Sequence, residues 1–220
     1  KFPLSISTFG DEEEVAVREV IRTKNFTMGE NVRIFENNFS NYIGSRFSIM
    51  VNSGSSANLL MIAALAYSKK YKLQPGDEII VPATGWSTSY YPLLQYGLKI
   101  KFVDIDLFTL NYNLDDLNGA ISKNTKAILV VNVLGNPNDF SRIHEIIDGK
   151  NIIIIEDNCE SLGASFSGKM AGTFGLMGSF SFFHSHHIST MEGGMVVTDD
   201  EELYHILLSL RAHGWTRDLP

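Results

Sequence analysis

Four short runs, "DEIIVPA", "KIKFVDID", "TKAILVVNV" and "NIIIIED", carry apolar residues on both sides of an extended chain, and helix-sized segments separate them. A strand that is apolar on one side can face water with the other, but a strand apolar on both sides has to be covered on both. Buried runs alternating with helical segments are the pattern of parallel βαβ units with helices on each sheet face. The expectation is therefore an α/β fold of three layers, α/β/α, around a mostly parallel central sheet.

Two helical patterns precede the first strand. "DEEEVAVREVIRTK" has acids in its first turn and apolar residues at Val15, Val17, Val20 and Ile21, and "NVRIFENNFSNYIG" ends on glycine. "FSIMVNSG" reads as a strand and tight turn, and "SSANLLMIAALAYSKK" as an apolar helix. Pro82 is expected at the end of its strand, since proline cannot donate to a ladder. After Asp157 the glycine-rich "LGASFSGKMAGTFGLMG" reads as turns and hairpins, not as another βαβ unit. The last helix, "DEELYHILLSLRAHG", is expected to be capped by Asp199 or Asp200. No repeat or linker interrupts the pattern, so residues 1–220 read as one domain. The chain opens at Lys1 without an initiator Met and closes on "RDLP" straight after a helical pattern, as a segment trimmed at both ends would.

Composition narrows the partners. A formal charge of -7 argues against nucleic acid or an anionic membrane as the main partner, and no basic patch offsets it. The apolar runs are too short to span a bilayer, and a basic-then-apolar leader is lacking, which makes the cytoplasm the expected compartment. Cys159 is the single cysteine, so this chain alone builds neither a disulfide nor an all-cysteine metal or iron-sulfur site.

Ligands of open α/β sheets gather at the carboxyl ends of the strands, and four such places stand out. In "NSGSSAN" a turn of small residues enters a helix, where free N–H groups and the helix dipole favour a phosphate; an ordinary N-cap reads the same way. In "PATGWSTSYYP" Trp86 follows a strand, suited to lie on a planar ligand or to pack in the core. In "IIIIEDNCE" the isoleucines run into Glu156 and Asp157, of which Asp157 is the better candidate to hold a cationic ring nitrogen, unless it caps the next turn. In "SFFHSHHISTMEGG" three histidines crowd behind Ser181, and an extended backbone would put His184 and His186 on one face with His187 on the other. A metal site lacks a recognisable third ligand there, so none is expected.

In this order the four places resemble the fold-type I enzymes that use pyridoxal phosphate (PLP), and specifically the DegT/DnrJ/EryC1/StrS family of sugar aminotransferases. The resemblance implies that Gly54, Ser55, Ser56 and Ala57 bind the cofactor phosphate, that Trp86 stacks on its ring and that Asp157 holds its pyridine nitrogen. The family then carries S-F-x-x-x-K, whose serine helps bind phosphate and whose lysine forms a Schiff base with PLP. Here the serine is Ser181, and His186 stands where the lysine is expected. An imidazole cannot make a stable imine, so PLP or its amine form PMP would be held noncovalently while His186 moves protons.

One branch of the family makes this exchange: the 3-dehydratases of nucleotide-linked 4-keto-6-deoxy sugars. Segments such as "FTMGE", "WSTSYYPLLQYGLKIKFVDID", "LGNPNDF", "EDNCESLGASF" and "RAHGWTRDLP" resemble the branch acting on GDP-linked sugars, with L-glutamate as amino donor. A branch acting on CDP-linked sugars carries an iron-sulfur cluster, for which one cysteine does not suffice. Glu160 is expected near the ring hydroxyl of the cofactor. The family resemblance also implies a homodimer, in which the helices over about residues 11–43 pack at the dimer or substrate side, and a small C-terminal domain that this chain lacks. The rival readings are an aminotransferase whose lysine lies elsewhere, Lys169 being nearest, a noncatalytic protein of this fold that binds a nucleotide-sugar, and a metal hydrolase.

Overall fold

A computed structural model describes every residue except Lys1, Leu4, Ser7, Thr8, Arg217, Asp218 and Pro220, so most of the closing "RDLP" and parts of the expected domain lie outside the described residues. In chain order the main elements are α1 (Asp11–Thr23), α2 (Glu30–Ile43), β1 (Phe47–Val51), α3 (Gly54–Tyr67), β2 (Glu78–Pro82), α4 (Ser87–Gln95), β3 (Lys99–Val103), α5 (Leu114–Ala120) and β4 (Thr125–Val131). They continue with α6 (Phe140–Ile147), β5 (Ile153–Asp157), the two-residue strands β6 (Ser165–Phe166) and β7 (Lys169–Met170), then β8 (Met177–Ser181), β9 (Gly194–Thr198) and α7 (Glu201–Arg211).

The central sheet has seven strands in the order β1-β9-β8-β5-β4-β2-β3. Every pairing is parallel except the two made by β9, which runs against both β1 and β8. Six strands therefore point their carboxyl ends the same way. Alternation along each strand sorts side chains into two layers. Ile49, Ile79, Val81, Leu129, Ile155, Met177 and Val196 pack on one face with Met61, Leu65, Leu93, Leu203 and Leu207 of α3, α4 and α7. Ile80, Ile128, Val130 and Ile154 meet Leu117, Phe140 and Ile143 of α5 and α6 on the opposite face, which Phe39 and Ile43 of α2 continue over Phe180 and Val197. Each fully buried side chain of this size contributes roughly 1.5–3 kcal/mol, so the doubly apolar strands are explained by the helices that cover them.

Asp200 caps α7, its carboxylate accepting from Leu203 N at 3.1 Å, and α1 buries none of its residues despite its apolar positions. No described helix is long and apolar enough to cross a membrane. The glycine-rich stretch holds turns and a hairpin and no helix, as expected. Its hairpin is β6 and β7; β8 then joins β5 in parallel, so the sheet continues through a crossover that has no helix. That crossover covers the sheet face through its backbone, and glycine lets it approach. A Cβ on Gly175 would stand 2.6 Å from the Ile154 carbonyl oxygen.

Candidate active site

The residues singled out in the sequence gather at the carboxyl edge of the sheet. Asp157 ends β5, Ser181 ends β8, and the first turn of α3 follows β1 after two residues. Parity decides which acid faces them. Asp157 shares its face with Ile155, under α3, whereas Glu156 points with Ile154 to the opposite layer.

Asp157 is buried, and three neutral donors hold it. Its Oδ2 accepts from Asn58 Nδ2 at 2.8 Å and Ser89 Oγ at 2.6 Å, and its Oδ1 accepts from the Cys159 N–H at 3.1 Å. Asn58 also accepts from Ser179 Oγ at 2.6 Å, so one amide links α3, β5 and β8. Among the described residues no Lys, Arg or His pairs with Asp157. A cationic group is what this carboxylate's surroundings lack.

The start of α3 is an open cluster of donors. Ser53 caps the helix: Ser56 N–H donates to its Oγ at 3.1 Å and Ala57 N–H to its carbonyl at 3.0 Å, which leaves the Gly54 and Ser55 N–H groups without a partner among the described residues. Gly54 allows the turn to meet β8, since a Cβ there would lie 2.6 Å from Ser181 Cβ and 2.7 Å from Cys159 Sγ. The Ser181 hydroxyl therefore sits beside a helix N-terminus, where backbone N–H groups and the helix dipole attract an anion.

Trp86 is not a core residue. It is the N-terminal flanking residue of α4, 72% exposed, three positions before the Ser89 that binds Asp157. Glu160 is exposed and accepts the Leu134 N–H at 3.0 Å; Leu134 holds a left-handed backbone, φ 52°, on the same rim. The histidines depart from expectation, because residues 184–188 form turns and bends, with His186 N–H donating to the Phe183 carbonyl at 3.0 Å. The extended alternation assumed for His184, His186 and His187 is therefore broken by a tight turn, which leaves His186 half-buried and its two neighbours exposed. Burial pushes the His186 imidazole below its usual value, Glu160 pulls it up, His187 lowers it, Asp157 raises it, and His184 lowers it. No cluster of three His, Cys, Asp or Glu side chains suited to a metal forms among the described residues. Lys169 sits in β7 with its Nζ 5.0 Å from the centroid of Phe174, a ring stacked on Phe140 in the layer opposite Asp157.

Sequence reasoning passed over Ser53, Asn58, Ser89 and Ser179. Two of them left a signal: Asn58 is a polar residue inside an apolar helix, four after Gly54, and Ser179 shares a strand face with Ser181.

Residues 7–219 match the DegT/DnrJ/EryC1/StrS aminotransferase family. The chain belongs to this family. Among its relatives there, GDP-4-keto-6-deoxy-D-mannose 3-dehydratase of Yersinia pseudotuberculosis is 63% identical over 219 residues, covering 100% of this chain and 56% of the relative. The solved Escherichia coli GDP-4-keto-6-deoxy-D-mannose-3-dehydratase with bound hydrated PLP superposes with a TM-score of 0.98 at 61% identity, over 100% of this chain and 57% of that one. A GDP-4-keto-6-deoxymannose-3-dehydratase with a trapped PLP-glutamate geminal diamine matches with the same TM-score, identity and coverage. The chain thus spans a little over half the length of these relatives.

Proposed function

We propose that this chain is the cofactor-binding part of a PLP- and PMP-dependent 3-dehydratase of a GDP-linked 4-keto-6-deoxy sugar, GDP-4-keto-6-deoxy-D-mannose, with L-glutamate as the second substrate. The observation that carries the reading is the half-buried His186 five residues after Ser181, together with Lys169 held on the far face of the sheet. The family membership and the two dehydratase relatives support it.

The residues present fit the cofactor. The Gly54 and Ser55 N–H groups, with the Ser55, Ser56 and Ser181 hydroxyls, suit a phosphate dianion; the Gly54 approach leaves no room for a side chain between that turn and β8. Asp157, fixed by Asn58, Ser89 and the Cys159 N–H, suits a protonated ring nitrogen, and the exposed Trp86 suits one face of the ring. When bound, PLP supplies an electron sink that lets carbon acids beside it lose protons.

His186 is the general base. Its lowered pKa keeps the imidazole neutral near pH 7, free to take a proton and afterwards to give it to the departing C3 hydroxyl. Glu160 steadies the imidazolium that forms in between. The overall balance is sugar plus glutamate giving the 4-keto-3,6-dideoxy sugar, 2-oxoglutarate and ammonia. Glutamate is oxidised by two electrons, and the sugar is reduced at C3 as its C–O bond breaks. A second copy of the chain and a small C-terminal domain complete the nucleotide side of the site, with the helices over about residues 11–43 at the dimer or substrate side.

The test is product analysis with PLP, glutamate and either the GDP- or the CDP-linked 4-keto-6-deoxy sugar. Equimolar ammonia, 2-oxoglutarate and deoxysugar from the GDP substrate are expected, with no cofactor fixed to protein by borohydride. An aminated sugar, or cofactor reduced onto a lysine, sinks the proposal in favour of an aminotransferase. Full turnover by His186→Asn sinks the role of His186.

A further inference from the structure

Glu156 is a buried acid that the proposed chemistry does not use. It is fully buried, it faces away from Asp157, and no Lys, Arg or His pairs with it among the described residues. Burial pushes it up to about 7, against the pull of the backbone N–H groups it meets. An acid in such a place needs partners, since a buried carboxylate without them is costly. Its partners are the backbone of the helix-free crossover. Oε1 accepts the Gly175 N–H and Oε2 the Gly172 N–H, each at 2.7 Å, with Asn132 Nδ2 more distant at 3.4 Å.

The crossover in turn lies directly on β8. Gly172 has a left-handed φ of 97°, and a Cβ on Gly178 would stand 2.7 Å from the Gly172 Cα. Gly178 pairs with Glu156 in the ladder, and its neighbour Ser179 pairs with Asp157. On the other face Ser179 holds Asn58, which holds Asp157, and two residues along the same strand Ser181 meets Gly54. Two backbone N–H donors 2.7 Å from separate oxygens require two acceptors, which a carboxylate has and a carboxamide lacks.

We propose that Glu156 is a positioning residue: its forked carboxylate staples the 172–175 crossover onto the sheet, and so fixes the position of β8 whose Ser179 and Ser181 complete the cofactor cradle on the opposite face. This inference rests on the PLP reading of the site and adds a residue to it. The test uses the full-length protein, stripped of cofactor, as wild type and Glu156→Gln. Both are checked for cooperative thermal unfolding, then titrated with PLP at a temperature where both are folded, and amide hydrogen exchange is followed over 171–181. Folded Glu156→Gln is expected to exchange about tenfold faster in that segment and to bind PLP about tenfold more weakly. A lowered melting temperature with unchanged PLP affinity would make the staple merely structural and overturn the proposal, as would unchanged exchange. Should Glu156→Gln not fold, Glu156→Asp, with both acceptors on a shorter stem, is scored by the same two readouts. Wild type that binds no PLP removes the proposed function and this inference together, whereas tight wild-type binding matched by the variant removes the inference alone.

Discussion

Replacing Asn58 with alanine cuts the amide that joins three elements beneath the site. Asp157 Oδ2 loses a 2.8 Å bond, and Ser179 Oγ loses the acceptor at 2.6 Å. A hydrogen bond to a charged partner is worth about 1.5–3 kcal/mol and a neutral one about 1 kcal/mol. Asn58 is only 3% exposed, so water does not replace the amide, although the Ser179 hydroxyl keeps a 3.4 Å contact with the Glu156 carbonyl. The sum is a loss of about 2.5–4 kcal/mol, a large part of the roughly 5–15 kcal/mol that holds a domain together. Urea unfolding at pH 7 reads it directly. Asn58→Asp is the sharper control: it keeps the shape but sets a second carboxylate against Asp157, so it should be worse than alanine at pH 7 and recover in acid. An alanine loss below about 1 kcal/mol, with aspartate tolerated at pH 7, refutes the reasoning.

Gly54→Ala drives a Cβ to 2.6 Å from Ser181 Cβ; overpacking of this kind costs about 1–3 kcal/mol, and PLP affinity should fall with it, as calorimetric titration would reveal. Trp86→Ala should weaken PLP binding while leaving the melting temperature within a degree or two, since the indole is 72% exposed. Glu160→Gln removes a charge that raises His186, so the acid limb of the rate profile should move to lower pH; an unmoved limb means that the two do not interact. Glu156 has a raised pKa, so its contribution to stability is complete below the unfolded value of 4.5 and is given up as pH climbs to about 7. Denaturation across that window should show wild type losing about 3 kcal/mol relative to Glu156→Gln, and a flat difference contradicts it.

Much of this was written locally in the chain. The doubly apolar runs required covering layers on both faces, and the isoleucines ahead of Asp157 placed that acid at a strand end. Parity along β5 separates Glu156 from Asp157 once the strand is in place, Asp157 facing the layer of Ile155 and Glu156 that of Ile154. What local pattern did not carry was partnership across distance. Ser89 and Asn58 reach Asp157 from 68 and 99 residues away, and neither spacing has a local signature. The parallel placement of β8 escaped notice because glycine density signals turns whether or not the chain then rejoins the sheet. The histidine segment was misread because alternation holds only for extended backbone, and the His186 to Phe183 turn abolishes it.

The reversed strand β9 bears on the order in which such a chain can assemble. β1 lies at the sheet edge and, among the described residues, has β9 as its only ladder neighbour, with Phe47 opposite Thr198. Closing a loop of about 150 residues costs about 4 kcal/mol of chain entropy, and on a ribosome the closing strand emerges long after the opening one. Until it arrives, β1 is an unpaired edge and the first turn of α3 has no floor, because Gly194 is the residue that packs against Ser53 and Gly54. The turn that opens α3 is thus among the earliest parts of the site to be synthesised and the last to be seated, which leaves a nascent or truncated chain with an exposed edge open to aggregation.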